Sequence, residues 1–411
     1  MAANIDQQTD IVPDSGRRGL IGALPRAVRP YASLMRLDRP IGAWLLFWPC
    51  AWSVALAGMG SGGVALILWL GLGAFAMRSA GCVYNDIVDK DLDARVERTR
   101  LRPLASNRIS LKGAWALLVG LSLIGLIVLL QLNLTAALVA LGSLALVAAY
   151  PFMKRITWWP QAWLGLVFSW GALVGWPAVT GELDAAALWL WGGAVFWVIG
   201  YDTIYAIQDK EDDALVGVKS SARALGRNAR AGVAFFYVAA LLLWGVAIWR
   251  VRPDWLGLVA LAPMALHLLW QVAALRSDDG ADALAKIRSN RFAGLVMFLA
   301  LLGVDLIESF EGVCSGTNGE IVLTGLLVDL LTVLVQQQSL PVVDAVVTPV
   351  VEDVVVPPPL HYEQTRPRDA DFAGRVQQCV QKLRVDTRHL RAIRRRAGLS
   401  ARRHRQRRSG R

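Results

Sequence analysis

Nine apolar runs recur along the chain, and they constrain its fold more than any other feature. Each run has roughly the 17 to 22 residues that an α-helix needs to cross the hydrocarbon core of a bilayer. Charged residues are largely confined to the gaps between the runs. We therefore expect an all-α polytopic membrane protein, with spans near 41–59, 63–83, 113–132, 134–150, 161–180, 186–205, 231–249, 255–274 and 291–307.

The gaps between the spans alternate in basic charge. The leader before the first span and the gap after the second are rich in arginine and lysine, whereas only Arg250 and Arg252 lie on the opposite side. Basic residues concentrate on the cytoplasmic side of membrane proteins, so topology accounts for them better than nucleic-acid binding does, and we expect no nucleic-acid partner. We predict a multi-pass protein of a bacterial cytoplasmic (inner) membrane, with its N-terminus in the cytoplasm.

Tryptophans cluster near the ends of the predicted spans. This placement is typical of the aromatic belt that many membrane proteins form at the lipid–water interface. The residues expected in such a belt are Trp44, Trp48, Trp158, Trp159, Trp176, Trp189, Trp191, Trp249 and Trp255.

An acidic stretch, residues 81–93, directly follows the second apolar run. Asn85, Asp89 and Asp93 recur every four residues, so a helix places them on one face. Carboxylates near a bilayer repel one another and are costly to desolvate unless a cation offsets their charge. Oxygen ligands suit a hard ion, which makes Mg²⁺ the best candidate.

A second acidic stretch, residues 202–213, follows the sixth run and contains Asp209 and Asp213, again four residues apart. Both stretches lie in gaps of about 29 and about 25 residues, longer than a helical bundle needs, and such loops usually carry function. The two stretches, and with them the active site, are predicted to face the cytoplasm, on the same side of the membrane as the N-terminus. Their carboxylates exceed the need of one ion, and two or more ions that bridge a diphosphate fit them better.

Basic residues on that same side suit a diphosphate leaving group. Fixed positive charge lowers the barrier as negative charge grows on the departing oxygen. The candidate substrate-binding residues include Arg102, Lys154, Arg155 and Lys219. Lys154 and Arg155 are the most informative pair, because they occupy a short loop in which few charges are expected. The apolar bundle could hold an isoprenoid chain and keep water away from an allylic cation.

These motifs resemble the UbiA superfamily of intramembrane prenyltransferases. The spacing of Asn85, Asp89 and Asp93, together with that of Asp209 and Asp213, is similar to the two aspartate-rich motifs of the family. Within it, the chain is most similar to the enzymes that prenylate 4-hydroxybenzoate in ubiquinone biosynthesis. The supporting stretches are 35–42, 96–104, 150–157, 200–209 and 290–294.

The resemblance implies nine transmembrane helices around a central cavity with cytoplasmic cap loops. It also implies Mg²⁺-dependent transfer of a polyprenyl group from polyprenyl diphosphate to the ring carbon ortho to the hydroxyl of 4-hydroxybenzoate. The lipid bilayer would surround the bundle. By position, the metal–diphosphate would be held by Asn85, Asp89, Asp93, Asp209 and Asp213, the four aspartates being the catalytic set. Arg155 would bind the aromatic carboxylate or the diphosphate, with Arg36 as the other candidate for the carboxylate.

Two alternatives remain at this point. The acceptor of the prenyl group could be haem, a chlorophyllide, a homogentisate or a naphthoate. A cation-coupled transporter is the alternative from another class, although transporters place such acids nearer the middle of the bilayer.

The domain organisation follows from the same resemblance. We predict a cytoplasmic leader at 1–30 and the prenyltransferase domain at 31–307. Residues 308–411 depart from the family in composition, and we expect a disordered or aberrant C-terminal extension there.

Overall fold

The described part of the chain is helical throughout, without a strand. The structure, a computed structural model of the protein, describes residues 20–60, 62–95, 99–208, 217, 219–276 and 279–311, with backbone alone at 20, 154 and 306–311. The helices are α1 Leu20–Ala23, α2 Arg29–Leu34, α3 Ile41–Leu56, α4 Gly63–Val88, α5 Lys90–Asp93, α6 Leu111–Leu129, α7 Leu134–Ile156, α8 Pro160–Ser169, α9 Gly171–Thr180, α10 Ala185–Gln208, α11 Ser221–Leu225, α12 Ala229–Val251, α13 Trp255–Val259, α14 Ala262–Ala274 and α15 Gly280–Glu311.

The predicted membrane spans correspond to these helices. Within the described residues, eight helical segments are long and apolar enough to cross a membrane, and the shorter apolar helix α3 is a ninth candidate. Two of the predicted spans are each built from two helices, α8 with α9 and α13 with α14. The all-α membrane class predicted from hydropathy is therefore confirmed. The predicted leader, residues 1–30, and the predicted extension, residues 308–411, lie largely outside the described residues, and those domain limits remain predictions.

Helix α10 lies at the centre of the bundle and packs against α8, α9, α12 and α15. Its Trp197 is fully buried with Trp52 of α3 and Trp244 of α12. The Trp52 ring lies 5.0 Å from that of Trp197 and 5.4 Å from that of Trp244, centroid to centroid. Each indole N–H is satisfied; that of Trp52, for example, donates to the carbonyl of Gly294 at 2.8 Å. These three large rings therefore fill the centre of the core with each of their N–H donors satisfied.

Glycines allow α3 and α9 to approach closely. A methyl group on Gly175 would lie 2.6 Å from the carbonyl oxygen of Cys50, and one on Gly171 would lie 3.2 Å from the backbone nitrogen of the same residue. The Ser53 hydroxyl crosses this contact and donates to the carbonyl of Ala172 at 2.6 Å. Small residues at helix contacts of this kind are typical of membrane bundles, where close packing replaces the hydrophobic effect.

The predicted tryptophan belt is correct for some residues and wrong for others. Six of the nine are exposed at the surface of the bundle: Trp44, Trp158, Trp159, Trp189, Trp249 and Trp255. Trp48 and Trp176 are instead buried in the core, and Trp191 packs edge-on against Trp170. Position near a span end does not reveal which face of the helix a ring occupies, and that face decides between belt and core.

Helices α6 and α7 are the least buried part of the bundle. They are joined by a short connection, yet α6 packs on α4 while α7 packs on α8 and α9. Because they pack mainly on different neighbours, we infer a gap between them on one flank of the bundle. Side chains of both helices line the cavity described next.

Candidate active site

A cavity of about 910 Å³ lies among α3, α4, α6, α7, α8, α9 and α10. One end of it is polar. That end is lined by Arg36, Arg39, Asn85, Asp86, Asp93, Arg102, Asp202, Tyr205 and Lys219, and Arg78 lines the cavity about two turns earlier on α4. The other end is apolar, lined by side chains of α6 and α7 that include Leu126, Leu129, Leu141, Leu144 and Val147. Leu126, Leu141 and Leu144 are 45–46% exposed, so the apolar end reaches the outer surface of the bundle.

The first acidic stretch spans a joint between two helices. Helix α4 ends at Val88, and α5 begins at Lys90. Hydrogen bonds with helical spacing nevertheless continue across the joint, from Asp89 N–H to the Asn85 carbonyl (2.9 Å) and from Asp93 N–H to the Asp89 carbonyl (2.8 Å). These bonds continue the four-residue period across the joint. Asn85 and Asp93 line the cavity, whereas Asp89 is not part of its lining. Asp86, Asp89 and Asp93 are all buried.

Arginines from three other parts of the chain reach these carboxylates. Arg36 donates two hydrogen bonds to Asp86, at 2.7 and 3.0 Å. Arg102 bridges Asp93 at 2.7 Å and Asp86 at 3.3 Å. Arg155 lies 3.0 Å from the carboxylate of Asp89. A buried carboxylate needs a cation or several donors nearby, and here each of the three has an arginine.

These pairs differ in how firmly they are enclosed. The side chain of Arg36 is 16% exposed and that of Arg102 is 22% exposed, whereas half of the Arg155 side chain is exposed. Arg155 can therefore move away from its carboxylate more easily than Arg36 or Arg102 can. Its partner carboxylate, Asp89, is the most buried of the three.

Arg36 has a backbone conformation that few residues adopt. Its φ is 60°, in the left-handed region, directly after the short helix α2. A residue other than glycine in this region carries a strain of about 1–3 kcal/mol, which persists only when the surroundings enforce it. The bidentate contact with buried Asp86 supplies such enforcement.

Asp93 has a pKa raised above its ordinary value. Burial is the largest cause, and the neighbouring charges of Asp86 and Asp89 raise the pKa further, while Arg102 opposes them. The carboxylates thus repel one another despite their arginines. An additional cation at this end of the cavity would be stabilised.

The second acidic stretch is described only in part. Helix α10 ends at Gln208, so Asp209 and Asp213 lie outside the described residues. Asp202 and Tyr205, in the last turns of α10, line the same cavity as Asn85 and Asp93. The helices that precede the two acidic stretches therefore open onto one space.

The remaining predicted substrate-binding residues are the two lysines. Lys219 lines the cavity and donates to the carbonyl of Ile156 at 3.2 Å, with its ammonium 5.9 Å from the ring of Trp158. Lys154 lies in the last turns of α7, one residue before Arg155, and its side chain is not among those described.

Arg78 also lines the cavity, and the sequence prediction missed it. It is the sole charged residue in α4 before Asp86. Ionisable residues inside a membrane span are rare and usually functional, so its isolation in an apolar run was the available signal. The sequence prediction used the spacing of acidic residues and the charges between spans, and Arg78 belongs to neither group.

The described residues include no group of three or more His, Cys, Asp or Glu side chains arranged around a metal position. The donor chemistry nevertheless fits Mg²⁺, because Asn85, Asp89 and Asp93 supply only oxygen and lie on one helical face. Burial raises the pKa of Asp93, and the nearby charges of Asp86 and Asp89 add to this effect, so a cation bound beside it would stabilise its ionised form.

A family model for the UbiA prenyltransferase family matches residues 46–302. The chain belongs to this family. Membership confirms the predicted family resemblance and shows that the protein is an enzyme of the prenyltransferase class. The matched range contains all the spans from α4 to α14 and the cavity that they enclose.

Relatives of known name are similar over most of this range. The mitochondrial 4-hydroxybenzoate polyprenyltransferase of Caenorhabditis elegans is 42% identical over 314 residues, which cover 75% of this chain and 87% of the relative. The protein of the same name from Drosophila melanogaster is 47% identical over 291 residues, or 70% of this chain and 74% of the relative.

Solved structures share the fold. The apo structure of a UbiA homolog from Aeropyrum pernix K1 is 27% identical with a TM-score of 0.52, covering 65% of this chain and 98% of that one. A UbiA homolog from Archaeoglobus fulgidus, bound to GPP and Mg²⁺, gives a TM-score of 0.51 at 17% identity, covering 67% and 99%. At this lower identity the likeness concerns the fold alone.

The relatives contradict the predicted bacterial inner membrane. Both are named as mitochondrial proteins of animals, which points to a mitochondrial membrane instead. The error has a physical cause. Hydropathy and charge bias show that a segment crosses a bilayer and in which direction, but neither depends on which compartment the bilayer encloses. The predictions that the N-terminus and the active site face the cytoplasm assumed a bacterial inner membrane, so they are wrong for the same reason.

Proposed function

We propose that the protein transfers a polyprenyl group from polyprenyl diphosphate to the ring carbon ortho to the hydroxyl of 4-hydroxybenzoate. One observation carries the proposal: a single cavity combines an acidic, arginine-rich end with an apolar end that reaches the bundle surface. A prenyl diphosphate has the same two halves, a charged head and an apolar tail. The names of the relatives support 4-hydroxybenzoate as the acceptor.

The charged head would bind at the acidic end. Asn85, Asp89, Asp93, Asp209 and Asp213 would hold Mg²⁺. When bound, Mg²⁺ neutralises the diphosphate and stabilises the charge that develops as it leaves. Without the donor, the Arg155 guanidinium pairs with the Asp89 carboxylate and supplies the positive charge that Mg²⁺ would otherwise provide.

Arginine movement would accompany donor binding. Arg155 is half exposed and can turn from Asp89 toward a diphosphate oxygen, so the carboxylate becomes available as a ligand. Arg36 and Arg102 are more enclosed and keep Asp86 and Asp93 in position. Lys219, at the cavity wall, and Lys154, next to Arg155, would add positive charge for the leaving diphosphate.

The apolar end would hold the tail and exclude water. Leucines of α6 and α7 line it, and the gap between these helices leads out of the bundle. A tail longer than the cavity could continue through this gap into the surrounding lipid. An allylic cation formed beside such a wall meets the acceptor ring before it meets water.

The acceptor ring would attack the allylic carbon and then lose a proton. Asp202 and Tyr205 both line the cavity near the acidic end and are the candidates for receiving it. The ring proton leaves from the carbon that forms the new bond, so the product retains both its phenol and its carboxylate.

The acceptor assignment is tested by competition among ring substrates. Membranes that contain the protein are incubated with labelled polyprenyl diphosphate and Mg²⁺, together with 4-hydroxybenzoate, a homogentisate and a naphthoate; membranes without the protein are the control. We expect label in 4-hydroxybenzoate alone, with mass spectrometry and NMR showing one ortho proton replaced by the prenyl group. Label mainly in another acceptor would overturn the assignment. Cation uptake without any prenylated product would instead favour a transporter.

A further inference from the structure

Arg78 is a charged side chain that forms no ion pair with the carboxylates of the described residues. It lies in α4 and lines the cavity, and the structure describes no carboxylate within 4.0 Å of its guanidinium. Its Nε is buried without a hydrogen-bond partner. A buried donor without a partner is costly, and an anionic ligand bound at this part of the cavity wall would satisfy it.

The side chain of Arg78 is nevertheless well positioned. Its guanidinium packs against the backbone of Gly42 in the first turn of α3, where a methyl group would lie 2.6 Å from Nε. One Nη contacts the Cys82 sulfur, and the guanidinium carbon lies 5.4 Å from the centre of the Phe168 ring. These contacts come from three helices and hold the guanidinium at the cavity wall.

The surroundings of Arg78 favour an anion further. The first turn of α3 presents the positive end of a helix, and its N-cap residue, Pro40, makes no side-chain cap bond. The sequence predicted Arg36 and Arg155 as candidates for the aromatic carboxylate. In the structure, Arg36 is paired with Asp86 and Arg155 with Asp89. Arg78 therefore offers the positive charge that the acidic residues do not neutralise.

The depth of Arg78 suits the acceptor. It lies seven residues before Asn85, two helical turns or about 10 Å along the axis on the same face. The guanidinium reaches toward Cys82, one turn nearer to the acidic end. A para-hydroxybenzoate whose carboxylate meets Arg78 would extend its ring from there toward Asn85, where the donor's reacting carbon would lie beneath its diphosphate.

We propose that Arg78 binds the carboxylate of the aromatic acceptor and so determines that the acceptor is an acid. The inference rests on the proposed function, because it assigns a residue to the acceptor of that reaction. Phe168 beside the guanidinium and Tyr150 on the cavity wall offer aromatic surface for the ring. The diphosphate is the less suitable ligand, since its metal ligands lie at the other end of this two-turn interval.

The test compares an acid with its neutral amide. Initial rates are measured with 4-hydroxybenzoate and with 4-hydroxybenzamide for the wild type, Arg78→Gln, Arg78→Lys and the control Lys112→Gln, an exposed cation at the start of α6. We expect Arg78→Gln to raise KM for the acid about 10- to 100-fold, the usual loss for a hydrogen-bonded ion pair, and to change KM for the amide and the donor little. Arg78→Lys should retain part of the affinity for the acid. The control Lys112→Gln should leave KM for the acid unchanged.

Gly42→Ala is a second, gentler variant. Its new methyl group meets the flexible end of Arg78 rather than backbone, so the helix should fold and only the guanidinium should move. We expect a smaller rise in KM for the acid in this variant. Equal losses with acid and amide, or a rise in KM for the donor, would overturn the role of Arg78. If the wild type prenylates neither acceptor, the proposed function itself is refuted. This outcome differs from one in which the wild type is active and only the role of Arg78 fails.

Discussion

Replacement of Asp89 by alanine is expected to abolish prenyl transfer while the protein still folds. Asp89 is the fully buried central member of the Asn85, Asp89 and Asp93 series. Loss of a ligand that holds the metal–diphosphate should lower kcat by on the order of 10³-fold or more. The fold should survive because Arg155, the cation left behind, is half exposed and can be hydrated. Turnover in membranes and thermal unfolding in detergent measure the two effects separately.

Asp91→Ala is the matched control for this substitution. Asp91 lies two residues away, in α5, and is exposed, so its removal changes the local charge equally without removing a buried carboxylate. We expect nearly normal activity in this variant. Substantial turnover by Asp89→Ala, at a melting temperature equal to that of the wild type, would rule out its role in catalysis.

Replacement of Leu144 by tryptophan is expected to change which donors the enzyme accepts. Leu144 lines the apolar end of the cavity, on α7, beside the gap that separates this helix from α6. An indole there should obstruct a long tail that must leave through the gap, but not a short tail that ends inside the cavity. We expect kcat/KM to fall about tenfold or more with a long polyprenyl diphosphate, the factor that corresponds to a penalty of about 1.4 kcal/mol. Dimethylallyl diphosphate should be used nearly as well as before.

Leu138→Trp supplies the comparison on the same helix. Leu138 is also an exposed leucine of α7, but it does not line the cavity. A similar fall with short and long donors in Leu144→Trp, or an equal effect of Leu138→Trp, would show that the tail does not pass between α6 and α7.

The membrane architecture could be predicted because it depends on local properties of the chain. Hydropathy over some 20 residues is enough to find a span, and all nine predicted spans correspond to apolar helical segments in the structure. The common face of Asn85, Asp89 and Asp93 was equally local, since it follows from a four-residue period. The structure preserves it across a joint between two helices.

Other parts of the site depend on contacts that no local pattern contains. Arg36 was predicted to meet substrate, yet in the structure it pairs with Asp86, 50 residues away. Arg102 likewise bridges Asp86 and Asp93. Which arginine reaches which carboxylate is decided by how α2, α4 and the segment before α6 pack together. The same dependence on packing placed Trp48 in the core instead of the interfacial belt.

Carboxylates at one end of the cavity are proposed to bind a divalent cation and, through it, the diphosphate of a prenyl donor. Transfer of label from polyprenyl diphosphate to 4-hydroxybenzoate is measured in membranes that contain the wild-type protein, before and after removal of divalent metal with a chelator. We expect chelation to stop product formation and Mg²⁺ added in excess to restore it. Product formation that continues undiminished in the chelator would show that the carboxylates do not act through a divalent cation.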